Sequence, residues 1–211
     1  MKPAASTTMQ MACEERADFA ALLAELSPEQ WEQPSLCDRW RVRDVVAHVI
    51  SYDELSRLGL IRRFTKGGFL PNRVNAVGVA EYATRSPEQL CQIMRAHIEP
   101  RGLPAGFGGM IALVDGMIHQ QDIRRPLKLG RAIPPQRLQA VLDFAKYAPT
   151  VRGAWHARGV RLVATDVDWS HGNGPEVRGT GEALLMAMAG RCDPLDDLSG
   201  PGKNNLAEHI S

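Results

Sequence analysis

Apolar side chains return along this chain at the period of an α-helix, and that pattern limits the possible folds more than any other feature. Phe19, Leu22, Leu23 and Leu26 fall at i, i+3, i+4 and i+7. Val42, Val45, Val46 and Val49 repeat the stripe, which continues through Tyr52 and Leu55. The spacing predicts a first helix from Glu14 to Leu26 and a second from about Val42 to Leu58. Leu90, Ile93, Met94 and His97 mark a third, ending near Pro100-Arg101-Gly102, and Ile111, Val114, Ile118 and Gln121 mark a fourth, stopped at Arg125-Pro126. Ser27-Pro28-Glu29-Gln30 and Ser86-Pro87-Glu88-Gln89 each align an N-cap, a proline at the first helical position and a capping-box glutamine, so each marks a helix start. Four amphipathic helices make a bundle, with 61–86 and 101–109 reading as loops.

The texture changes after Pro134-Pro135. Leu138, Val141, Leu142 and Ala145 predict one more helix, and Val160 to Thr165 alternates enough for a strand. Gly172-Asn173-Gly174-Pro175 is a turn, and Glu176 to Arg178 reads as the strand returning in a hairpin. Thr180 then caps an apolar helix, Glu182 to Ala189, closed by Gly190, while residues from Leu198 onward read as loop and frayed terminus. The expected class is α+β, mostly α: a four-helix bundle over 1–129, followed by a linker helix and a small α/β domain over 130–211.

Composition narrows the function. With 44% hydrophobic and 23% charged residues the chain is globular rather than disordered, and at 211 residues it can bury a core without staples. Twenty-five basic against 24 acidic side chains leave a net charge of +1, so there is no broad positive field to gather phosphates, and no nucleic-acid partner is expected. Cys13, Cys37, Cys91 and Cys192 are scattered without a C-x-x-C pair, which suits reduced thiols better than a disulfide framework or a thiolate zinc site. Lys2 is followed by acids where an export signal needs an apolar core, and no apolar run approaches the ~20 residues of a membrane span. The expectation is a cytoplasmic protein with no membrane partner, monomer or homodimer.

Chemistry gathers on the fourth helix. Asp115, His119 and Asp122 at i, i+4 and i+7 fall within roughly 60° of arc. Ile111 and Ile118 project into the same sector, so these polar groups lie on a side that packs inward, where an uncompensated charge is costly. His48 shows the same anomaly on the second helix. Two readings stand: hydrogen-bonded core residues, or an imidazole from one helix and an Asp/His pair from another supplying three ligands to a divalent ion, with positions left open for water or substrate. Asp122 either orients His119 or pairs with an arginine, and the second suits a residue almost two turns from Asp115. Asp166, Asp168 and His171 read as a solvated hairpin, Trp40 and Trp169 as packing at element ends, and Cys37 has no evident base partner.

Pro34-Ser35-Leu36-Cys37-Asp38-Arg39-Trp40-Arg41-Val42-Arg43-Asp44-Val45-Val46-Ala47-His48-Val49 resembles a signature block of the mycothiol-dependent maleylpyruvate isomerase family, whose helical domain is a DinB-like metal-binding bundle. Asp115 through Leu127 is similar to a second block of that family, and Leu162 to Trp169, Gly190-Arg191 and Leu198-Ser199-Gly200 to its C-terminal region. The resemblance implies a DinB-like four-helix bundle with metal ligands at His48, His119 and Asp115, the last where the family usually has Glu. One methylene less shortens the reach by roughly 1.5 Å, so a bridging water or a small helix shift is expected. Arg41 departs too, standing where relatives often have a Ser or Thr cap.

By the same resemblance the cofactors are a divalent metal, zinc before nickel or iron, and mycothiol as cosubstrate. The partners are that thiol and a small electrophilic substrate such as a cis-unsaturated keto acid, and the activity is an isomerase or thiol S-transferase. The alternative is a non-catalytic metal-binding or stress-related interaction protein that retains the bundle. Arg191 is similar to a functional arginine of the C-terminal domain and is the expected catalytic cation, with an exposed arginine in a helix's last turn as the competing reading.

Overall fold

The computed structural model describes residues 7–210, in two compact units that divide along the chain between Gly130 and Arg131. In the first, α1 (Thr8–Glu25) opens under a full capping box between Thr7 and Gln10. Ser27 and Gln30 do the same for α2 (Pro28–Trp31), a single turn ended before Pro34. There follow α3 (Val42–Ile50), α4 (Arg57–Lys66), α5 (Pro71–Glu81), α6 (Pro87–Ala96) and α7 (Met110–Arg124). The bundle is closed by α1, α3, α6 and α7: α1 packs on α6 and α7, and so does α3. Its core joins Phe19, Leu22, Leu23, Val42, Val45, Val46, Val49, Leu90 and Met94, residues whose spacing predicts the helices, to Trp31, Ile50 and Ile123. Gly109 lets α7 start against α1: its φ is +91°, and a Cβ there would stand 3.1–3.2 Å from Met9 and Ala12.

The second predicted helix is two. Ser51 turns its hydroxyl back onto His48 O at 2.9 Å, and Asp53 is drawn inward by Arg16 Nη1 at 2.8 Å and by the Arg101 N–H at 3.1 Å, so the chain leaves the helical path after Ile50. Ser56 then caps a new helix, accepting the Gly59 N–H at 3.1 Å. The stretch expected to be loop over 61–86 holds the end of α4 and all of α5. The exposed Leu58 and Ile61 show why period alone misses this pair, since its apolar residues do not form a buried stripe.

In the second unit α8 (Pro135–Ala145) and α9 (Gly153–His156) precede β1 (Arg161–Ala164), β2 (Ser170–Gly172) and β3 (Glu176–Gly179), then α10 (Gly181–Met188), a 3-10 turn over Asp193–Asp197 and α11 (Lys203–Ile210). The sheet order is β2-β1-β3, with β2 antiparallel and β3 parallel to β1. The expected hairpin around 172–175 is therefore corrected. That segment carries the chain across the start of β1, and the hairpin is β1–β2. Gly174 makes the crossing possible, because a Cβ there would stand 2.3 Å from Gly159 O. The tail read as loop is also helical, held by Leu206 and Ile210 at i and i+4, both buried. The expected class, a helical bundle followed by a small α/β unit, is the one observed. Among the described residues no helix is long and apolar enough to cross a membrane.

Candidate metal centre

Two helices of the bundle set the centre. α3 carries His48 and α7 carries Asp115 and His119, and α7 is buried on almost every side, so its polar groups are held within the core. His48 Nε2 lies 3.6 Å and His119 Nε2 3.4 Å from Oδ1 of Asp115. Both are longer than good hydrogen bonds. They equal the spacing of ligands around one ion: two atoms about 2.0–2.2 Å from zinc and near the tetrahedral angle are roughly 3.3–3.6 Å apart. All three donor atoms lie within 4.8 Å of one another. The short carboxylate therefore reaches both imidazoles, and neither a bridging water nor a helix shift is needed. The two histidine side chains are 9% and 12% exposed and Asp115 is 33% exposed, so the open side of the cluster is at the carboxylate.

The imidazoles are held differently. His119 Nδ1 faces Asp122 Oδ2 at 2.8 Å, and Cys37 Sγ approaches the same oxygen at 3.1 Å and His119 Nδ1 at 3.8 Å. His48 Nδ1 is buried without a hydrogen-bond partner, and the ring sits between Trp40, with centroids 5.1 Å apart, and the edge of Tyr52 at 5.9 Å. Burial pushes the proton affinity of His48 down and outweighs the pull of Asp115. For His119 burial acts in the same direction but Asp115, Asp122 and Cys37 outweigh it, and its proton affinity rises well above the ordinary imidazole value. At Asp115 burial opposes the charge, yet the neighbouring His119 and His48 hold the carboxyl far below its usual range. These directions favour a neutral His48, an ionised Asp115 and a protonated His119, a donor set that suits a divalent ion once His119 gives up a proton.

His48, Asp115 and His119, expected to point inward, are brought together by the structure. Asp122, expected to pair with an arginine rather than to orient His119, touches His119, and Cys37, expected to have no base partner, lies beside both. The i, i+3 spacing of His119 and Asp122 was a usable signal, whereas Cys37 arrives through a loop whose path spacing does not encode. Trp40 does pack at a helix start, against the bundle core, and also against His48. The absent cap at Arg41 is offset from within α3, where Asp44 Oδ2 accepts the Arg41 N–H at 3.0 Å. Arg191 follows α10 in the second unit, half-buried, with Nη1 donating to Ala189 O at 3.1 Å. Among Asp166, Asp168 and His171, Asp166 caps α10 through the Gly181 N–H and Asp168 O accepts from Gln139.

Residues 12–101 match the family model described as mycothiol maleylpyruvate isomerase N-terminal domain, a stretch that holds His48 and ends before Asp115. No curated protein matches the chain. The fold is similar to the crystal structure of the mycothiol-dependent maleylpyruvate isomerase, with TM-score 0.63 at 16% identity over 93% of this chain and 92% of that one. It is likewise similar to a histidine-to-alanine mutant of that enzyme, with TM-score 0.61 at 16% identity over the same shares. The family model that matches is that of the family the sequence resembles, over residues 12–101, and the chain's fold is similar to that of a mycothiol-dependent maleylpyruvate isomerase.

Proposed function

We propose that this chain is a cytoplasmic, metal-dependent enzyme that uses a low-molecular-weight thiol, mycothiol, on a small electrophile such as a cis-unsaturated keto acid, as an isomerase or S-transferase. The observation that carries the reading is the convergence of His48 Nε2, Asp115 Oδ1 and His119 Nε2 at ligand spacing, three donors with an open side. A divalent ion held there, zinc before nickel or iron by the family resemblance, would supply a lowered thiol pKa, so that thiolate would be present at neutral pH.

The chain's own residues do the rest. His48 is kept neutral by burial and needs no deprotonation to act as a donor. His119 is aimed by Asp122. Trp40 and Tyr52 wall the His48 side, leaving approach over Asp115. In the isomerase reaction the thiol sulfur adds to the activated double bond, the new single bond rotates, and expulsion of the thiol leaves the trans isomer with the thiol regenerated. Negative charge develops on the substrate during the addition, and Arg191 is the cation this reading assigns to it.

The test is elemental analysis of the purified protein together with thiol-dependent turnover of a panel of cis-dienoic keto acids and soluble electrophiles. Stoichiometric metal in wild type, lost in His48→Ala and His119→Ala, with turnover lost in the same variants and in Arg191→Ala, is the expected result. A metal-loaded wild type that consumes none of the panel with mycothiol, glutathione or cysteine would overturn the enzymatic part.

A further inference from the structure

Between α2 and α3 the chain forms a tight loop whose Trp40 walls the site and whose other residues the reaction above does not use. It is closed by a bridge between Pro34 and Arg41, by the Ser35 N–H donating to Trp40 O at 3.0 Å, and by the Trp40 N–H donating to Cys37 O at 3.0 Å. Ser35 Oγ donates to Trp40 O at 2.8 Å and accepts the Cys37 N–H at 3.1 Å, and Arg39 takes the left-handed conformation at φ +66° to complete the turn. The loop is clipped to α7 at Asp122, whose backbone oxygen accepts the Leu36 N–H at 3.0 Å while its carboxylate accepts the Cys37 thiol at 3.1 Å.

We propose that this loop braces the metal centre: Cys37, acting through Asp122, and Trp40, acting directly, are positioning residues that fix the aim of His119 and His48. The inference rests on reading His48, Asp115 and His119 as the metal site. Each imidazole has one nitrogen turned to Asp115 and one turned away. For His119 the far nitrogen is bonded to Asp122, whose same oxygen is tied to Cys37, so moving the loop moves the carboxylate that holds the ring. For His48 the far nitrogen has no hydrogen-bond partner, so the ring's orientation depends on its packing, against His119 at 4.9 Å, Trp40 at 5.1 Å and Tyr52 at 5.9 Å between centroids, and Trp40 is the nearer of the two that are not themselves candidate ligands. Hydrogen bonds from such outer groups set a ligand's tautomer and direction, and their loss typically costs 10–100-fold in metal affinity.

Cys37, His119 and Asp122 also lie within 4.8 Å of one another and form a second grouping of potential ligands. Its spacing is different. At 2.8 and 3.1 Å the carboxylate is hydrogen-bonded to both neighbours, so His119 Nδ1 uses its lone pair to hold the proton it donates there, and Cys37 stands as a protonated thiol, a far weaker ligand than a thiolate. Cys37 is thus a donor behind the centre and not a ligand within it.

The experiment uses the full chain with cobalt(II) as the optical probe, and proton NMR of the metal-free protein. Expected are tetrahedral cobalt bands without a sulfur-to-cobalt charge-transfer band. Asp122→Ala should lose about 10–100-fold in cobalt affinity, Cys37→Ala and Trp40→Ala about 3–10-fold each, and Cys37→Ser and Trp40→Phe should stay within about twofold. Without metal, His119 Nδ1–H should give a protected downfield resonance that disappears in Asp122→Ala and exchanges faster in Cys37→Ala. If Asp122→Ala does not fold, Asp122→Asn replaces it, expected to lose about tenfold in affinity. A charge-transfer band that vanishes in Cys37→Ser would make Cys37 a ligand and overturn the proposal. So would Cys37→Ala and Trp40→Ala variants that match wild type in both measurements. Should wild type take up no cobalt, the metal reading falls, and the NMR arm still decides whether the Cys37–Asp122–His119 chain holds the ring.

Discussion

His48 and His119 stand edge to face, ring centroids 4.9 Å apart and planes at 81°, so that both Nε2 atoms reach one oxygen of Asp115. That oxygen is the pivot of the site, and its charge matters more than its reach. Asp115→Asn keeps shape and length but removes the anionic ligand, and metal loading is expected to fall by at least about tenfold. Asp115→Glu keeps the charge, and because the side chain is 33% exposed the extra methylene has room to fold back. Loading is expected to remain within about tenfold of wild type, by competition with a chromophoric chelator. Equal loss in both variants would mean that position, not charge, governs the site.

The same arrangement fixes the sign of the pH dependence. His48 has its proton affinity lowered by burial and is already neutral at pH 7, whereas His119 holds its proton above the ordinary imidazole range because Asp115 and Asp122 outweigh burial. An ion must therefore displace one proton, from His119. Affinity should rise about tenfold per pH unit through the neutral range and level off above the raised value. Calorimetry in buffers of different ionisation enthalpy should find about one proton released per ion at pH 7. Release near zero would show that His119 is neutral in the free protein.

Residues that fill the core were legible because burial and period are the same physical fact: Phe19, Leu23, Val45 and Val49 are buried on the stripes that predict α1 and α3. His48 and Asp115 were legible by contrast, as polar groups on the apolar faces of α3 and α7. What escaped depends on long-range contacts. The break after Ile50 is made by Arg16 and Arg101 reaching Asp53, and Cys37 meets Asp122 across 85 positions. β3 lies beside β1 because Gly172 and Gly174 can pass close to the strand start, a steric permission that looks like an ordinary turn in sequence.

The tail helix escaped because two apolar residues in a polar segment carry little periodic signal. Yet Leu206 is fully buried and Ile210 is 8% exposed. α11 packs on α9 and β3, so these side chains complete the core of the second unit. Leu206→Ala is expected to cost about 2–5 kcal/mol in that unit, read as a lower urea midpoint at constant slope. A change below about 0.5 kcal/mol would mean that the tail is not held by this residue.

Arg16 and Asp53 form a deeply buried ion pair, Nη1 to Oδ2 at 2.8 Å with side chains 1% and 0% exposed. The pair joins α1 to the turn after α3, and the same Nη1 also donates to His97 O while Asp53 Oδ1 accepts the Arg101 N–H. Desolvating both charges consumes much of their attraction, so the net worth of the pair is small even though each partner depends on the other. Asp53→Ala strands the guanidinium, whose Nε already lacks a hydrogen-bond partner, and is expected to destabilise the first unit by about 3–5 kcal/mol. Arg16→Met strands the carboxylate and should cost a similar amount. The double variant Arg16→Met/Asp53→Leu leaves no buried charge and should recover most of that loss, so denaturation of the two singles and the double should give strongly non-additive energies. Additive losses would show instead that each side chain is held by its separate backbone contacts, His97 O for the arginine and the Arg101 N–H for the aspartate, and that the pairing itself contributes little to where α3 ends.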